Sequence, residues 1–181
     1  MDSGTARVGL AALLAAAAFS LGSVALEALA ESSDDPRSVA DHAAVLVVSA
    51  ALLGAGAALA FLRRYGARRS RRAGSLGLAV AGGGAALAGV GNAVELGLGV
   101  SAFGLLFALG TMTLLVGLLI AGVSVLTAAA PWRWAGLAVV PLAVGFAVGE
   151  GPGFVLVGLT WIVLATLLAA RTGPFHPDEI A

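Results

Sequence analysis

Between its few charged clusters, the chain is a succession of uncharged runs, each about as long as a helix that crosses a bilayer. A helix rises about 1.5 Å per residue and the hydrocarbon core is about 30 Å thick, so a crossing takes about twenty apolar residues. Six runs fit: Val8 to Leu29, Asp41 to Leu62, Ser75 to Leu96, Ala102 to Thr127, Trp134 to Gly149 and Phe154 to Ala170. In lipid every backbone N–H and C=O must be satisfied internally, and a helix does this within one segment. The pattern therefore predicts an all-α polytopic transmembrane bundle of six spans, one domain over residues 1–181, with 171–181 as a cytoplasmic tail. With 60% hydrophobic and 11% charged residues, the chain departs far from a soluble domain, where about a quarter of residues are charged.

Glycine and proline punctuate these runs. The stretch from Ser75 to Thr127 is too long for one span, and Gly97-Leu-Gly-Val-Ser101 is the expected turn. Gly151-Pro-Gly153 is expected to turn the last hairpin, since glycine tolerates unusual backbone angles and proline breaks a helix. Pro141 is expected to kink the fifth span by removing a ladder hydrogen bond. Gly82-Gly-Gly84 in the third span and Gly145 to Gly149 in the fifth offer small faces that let helices approach closely. A phosphate cradle is not implied there, because no Lys or Ser/Thr follows in the required pattern.

Arginine sets the expected orientation. With the N-terminus inside, Arg7, the run Arg63, Arg64, Arg68, Arg69, Arg71 and Arg72, then Arg133 and Arg171 all face the cytoplasm, and Arg37 alone falls outside. Tyr65, Trp132 and Trp134 fall at the same inner boundary, where amphipathic rings are favoured. The expected location is the cell membrane, multi-pass, with both termini cytoplasmic. A rival reading takes Arg7, the first apolar run and Ala28-Leu-Ala30 as a cleaved secretory signal, but the run exceeds the usual 7 to 15 residues. The arginine run is first a topology determinant, and second a site for anionic lipid headgroups at about 1 kcal/mol per residue.

Helix counting then places the ionisable groups. Glu27, Glu95 and His42 each lie about 30 Å of helix from the inner boundary, and Glu150 falls at the turn between the fifth and sixth spans. All four reach the outer face, leaving no ionisable side chain at the bilayer centre. Pumps and voltage sensors keep charges at depth, so this pattern argues against them. Glu27, Glu95 and Glu150 also fall near the C-terminal ends of outward-running helices, where a carboxylate is disfavoured by about 0.3–1 kcal/mol. Each invites a compensating partner: His42, Arg37, a bound cation, or water and a proton.

The resulting candidate ligand site comprises Glu27, His42, Glu95 and Glu150, with Asn92 one turn deeper. Its donors suit a divalent cation, but there is no metal-binding spacing such as paired histidines on one helix face. The plain alternative is that these residues mark span ends, with Asn92 making an interhelical hydrogen bond worth about 0.6–2 kcal/mol. Asp41 reads as a helix cap, since Ser38-Val-Ala-Asp41 fits a capping box, and Trp161 as a packing ring. The loop Glu31 to Pro36 is expected to be a solvated acidic connector.

No catalytic constellation is present. Cysteine is absent, and His42 and His176 fall on opposite sides of the expected membrane. No cofactor is implied, and nothing suggests nucleic-acid binding. The segment Pro131-Trp-Arg-Trp-Ala-Gly136, between a Gly-rich fourth span and a Leu/Val-rich fifth, resembles an inner hairpin of small six-span prokaryotic integral membrane proteins of uncharacterised activity. That resemblance covers mainly the second half of the chain and implies the same architecture without an activity. The leading functional expectation is a non-enzymatic membrane protein, either an accessory subunit or a binder of a small ligand or cation at its outer face. Its expected partners are the bilayer and a second membrane protein or another copy of the chain. A small transporter of a neutral or lipophilic solute is the runner-up, with Ser49, Thr111, Thr113, Ser124 and Thr160 as the groups that would line its path. An intramembrane enzyme using the outer carboxylates comes third.

Overall fold

A computed structural model describes residues 3–29, 38–66, 72–126, 138–149 and 151–172. Among them are six α-helices: α1 (Ser3–Glu27), α2 (Val39–Gly66), α3 (Arg72–Leu98), α4 (Gly104–Leu126), α5 (Val139–Val148) and α6 (Gly151–Thr172). Five are long and apolar enough to cross a membrane, and α5 is a shorter apolar helix whose expected first residues lie outside the described ones. Also outside are Arg37, Arg68, Arg69, Arg71, Trp132, Arg133, Trp134, Glu150, His176, the loop Glu31 to Pro36 and the hairpin segment Pro131 to Gly136.

The helix ends follow local chemistry. Ser38 and Asp41 cap α2 reciprocally: the Ser38 N–H donates to Asp41 Oδ2 at 2.8 Å, and the Asp41 N–H donates to Ser38 Oγ at 3.1 Å. Two donors that a helix start leaves orphaned are thereby satisfied, as the capping pattern predicts. Gly99 and Gly149 end α3 and α5 in the left-handed region, each at φ 71°, which a residue with a Cβ rarely adopts. A 3₁₀ turn, Ser101–Phe103, then leads into α4. Pro141 belongs to the first described turn of α5, and a first-turn N–H has no helical partner to lose.

The six helices close into a ring. Sequential neighbours pack against each other from α1 through α6, and α6 returns to pack on α1. Every helix sends residues to the central core, among them Leu13, Leu59, Ala85, Leu118, Leu142 and Trp161. Large apolar side chains also cover the outside of the ring, with Leu105, Met112 and Leu119 on α4 each about two-thirds exposed.

Glycine brings the helices together, along lines the triplet Gly82-Gly-Gly84 only partly marks. On α3, Gly77, Gly84 and Gly91 recur every seven residues and face the backbone of α4 at Ala121, Leu114 and Phe107. From the other side, Gly110 and Gly117 face the backbone of α3 at Ala88 and Ala81. A seven-residue repeat keeps one face toward a partner over several turns, and two such faces without side chains allow backbone contact. The opposite face of α3 uses Gly82 and Gly89 against α2, while Gly83 points to open space. In the last hairpin, Gly145 packs against Gly153, whereas Gly149 serves the turn instead of the packing face.

Candidate functional site

One end of the ring carries the described arginines. Arg7 lies near the start of α1, Arg63 and Arg64 in the last turn of α2, and Arg72 at the start of α3. Arg63 Nε donates to Ser75 Oγ at 3.3 Å, joining α2 to α3, and Arg64 and Arg72 are exposed. Arg68, Arg69 and Arg71, the rest of the run expected to meet lipid headgroups, lie outside the described residues.

The opposite end opens into a cavity of about 650 Å³ to which all but one of the helices contribute directly. Its walls are Glu27 from α1, Val45 and Val48 from α2, Asn92, Glu95 and Leu96 from α3, Phe107 from α4, and Gly151 and Phe154 from α6. Gly149, just past α5, completes the ring. Its volume is in the range of small-molecule sites, and its lining mixes the polar groups of Glu27, Asn92 and Glu95 with apolar and aromatic side chains.

Three of the expected site residues thus meet in one place: Glu27, Asn92 and Glu95. His42 does not join them. It is exposed at the start of α2, where Nδ1–H donates back to the Ser38 carbonyl at 2.9 Å. Glu150 lies outside the described residues, between the two pocket glycines Gly149 and Gly151.

The carboxylates are seated on helix starts. Glu95 lies against Gly104, the first residue of α4, where an added Cβ would fall 2.7 Å from the Glu95 Cδ. Glu27 lies over Gly151, the first residue of α6, with Oε2 3.9 Å from the place of the absent Cβ. A helix start carries unpaired N–H groups and the positive end of the dipole, so each acid meets a compensating field. The expected compensators were His42, Arg37, a bound cation, or water and a proton; the starts of α4 and α6 lie beside the two acids as well. Because tertiary packing supplies them, counting along single helices misses them. The glycines opening the next helices, Gly104 and Gly151, are the sequence signal that was available.

Asn92 anchors the floor. Its Nδ2 donates to Ser49 Oγ at 2.9 Å and to the Val45 carbonyl at 3.3 Å, and Ser49 Oγ donates to the same carbonyl at 2.8 Å. A carbonyl only accepts, which fixes the amide nitrogen toward α2 and leaves Oδ1 as the free acceptor of a residue that lines the cavity. On α1, Ser23 and Ser20 continue the polar face below Glu27, both fully buried, with Ser23 Oγ donating to the Ser20 carbonyl at 2.9 Å.

Below that level the interior is apolar. Phe154 lines the pocket, and Val157 and Trp161, one and two turns deeper on α6, are fully buried in the core. Thr111, Thr113 and Thr160 donate to their own helices, to the carbonyls of Phe107, Leu109 and Leu156 at 2.7 to 2.9 Å. They form no polar column through the ring. Among the described residues no group of three His, Cys, Asp or Glu side chains is placed to hold a metal ion. No protein-family model, curated protein or solved structure matches the chain.

Proposed function

We propose that the chain is a six-span integral protein of the cell membrane whose arginine end is cytoplasmic, and that it binds a small ligand in a pocket open to the outside. The exposed apolar residues around the ring favour lipid as its solvent, since soluble proteins rarely expose contiguous apolar patches beyond a few hundred Å². The arginine rim supports the orientation through the preference for basic residues in cytoplasmic loops. The observation that carries the binding reading is that Glu27, Asn92 and Glu95 line one cavity, with a buried apolar core elsewhere in the ring.

A conduit would need polar groups continuing past Ser20 and Asn92, and the threonines that would supply them are satisfied by their own helices. Two carboxylates and one carboxamide are the polar side chains that the described residues bring to the cavity, and no hydroxyl, thiol or imidazole lines it with them. Binding therefore fits the geometry better than either transport or chemistry.

Because the chain has no cysteine, single-cysteine labelling in intact cells tests this arrangement cleanly. Val48→Cys, in the pocket wall, is expected to react with a membrane-impermeant maleimide added outside. Arg64→Cys is expected to react only after permeabilisation. Arg64→Cys labelling in intact cells would reverse the orientation, and an unreactive Val48→Cys would remove the open pocket.

A further inference from the structure

We infer that the pocket selects a protonated amine carried on a short apolar body, an inference that rests on the cavity being a ligand site. Size is the first argument. A cavity of about 650 Å³ is far larger than a bare metal ion needs, and no three metal-ligating side chains are grouped among the described residues. The lining is the second. Val48, Phe107 and Phe154 give an apolar and aromatic wall beside the polar groups of Glu27, Asn92 and Glu95, a mixed lining suited to a ligand that carries both a polar head and a hydrocarbon or arene.

The third argument concerns the charged head. Asn92 is only 6% exposed, its nitrogen is committed to α2, and no hydrogen bond among the described residues reaches Oδ1. Oδ1 keeps contact with solvent and belongs to a residue that lines the cavity, so it is an acceptor free to take a donor from water or from a ligand. Glu95 is one helical turn above it and also lines the cavity. An ammonium has three N–H donors and a positive charge, so it can donate to Asn92 Oδ1 and to the Glu95 carboxylate together. Charge-assisted bonds of that kind are the strong ones. A quaternary ammonium keeps the charge but has no N–H, and an alcohol keeps a donor but has no charge.

This gives a direct test with purified full-length protein in detergent. Binding of phenethylamine, phenethyltrimethylammonium and 2-phenylethanol is measured by calorimetry, alongside magnesium and calcium chloride. Phenethylamine is expected to bind at least about tenfold more tightly than either isostere, a difference of about 1.4 kcal/mol. Glu95→Gln is expected to remove that preference, bringing phenethylamine binding down to the level of 2-phenylethanol in the same variant. Equal binding of all three organic probes, or binding of the metal ions alone, would overturn the amine inference and leave the pocket reading standing. Failure of every probe to bind would count against both. The comparison among ligands uses the unmodified protein, so a misfolded variant does not decide it.

Discussion

Gly84→Val is expected to destabilise the bundle by more than about 3 kcal/mol, at the upper end of what overpacking costs. A Cβ at Gly84 would overlap the Leu114 backbone nitrogen and come within 2.7 Å of the Gly110 carbonyl oxygen and 2.8 Å of the Thr113 carbonyl carbon. Those are main-chain atoms of α4, which cannot rotate aside as a side-chain tip can. Relief requires the two helices to separate, and separation also unseats the contacts at Gly77, Gly91, Gly110 and Gly117. The adjacent residue supplies the control. Gly83 faces open space, so Gly83→Ala should gain the helix propensity of alanine, about 0.5–1 kcal/mol. Thermal melts in detergent should therefore move in opposite directions for neighbouring residues of one glycine triplet. A Gly84→Val protein that melts with the parent would contradict the close α3–α4 contact.

Trp161→Ala is expected to cost about 3–5 kcal/mol, the range for removing a large buried aromatic ring. Trp161 is fully buried at the ring centre, two turns below the pocket residue Phe154. Alanine there leaves a cavity beneath the pocket floor. Trp161→Phe is expected to be much milder. The Trp161 Nε1 is buried with no hydrogen-bond partner, so losing the indole N–H breaks no bond and removes an unsatisfied donor. Unfolding in detergent should rank the parent and Trp161→Phe close together, with Trp161→Ala far below. A Trp161→Phe loss as large as that of Trp161→Ala would mean the N–H has an essential partner.

Much of the fold is written in run length. Apolar stretches locate the helices to within several residues because lipid leaves the backbone few alternatives, and Ser38 and Asp41 mark the start of α2 through local capping chemistry. The site is legible only in part. Counting along helices puts Glu27 and Glu95 at one level with Asn92 one turn deeper, but their meeting depends on ring closure, which no single helix encodes. His42 shows the limit: helical spacing puts it at the same level, yet its ring returns to the Ser38 carbonyl one turn back. The glycine contacts were legible in principle. Gly77, Gly84 and Gly91, with Gly110 and Gly117, repeat every seven residues, a signal that the conspicuous triplet at Gly82 to Gly84 obscures. The apolar walls, Val45, Val48, Phe107 and Phe154, look like any other membrane residues until the ring is closed.

The central claim is a polar pocket that stops on a sealed apolar core, and a cysteine ladder down α3 tests it most directly. Leu96 lines the pocket, whereas Ala85 is fully buried in the core about three turns deeper. With a small hydrophilic maleimide, Leu96→Cys should react from the outside, and Ala85→Cys should react from neither side of the membrane while the protein is folded. Labelling of folded Ala85→Cys from either side would reveal a water path through the ring and contradict the blind pocket.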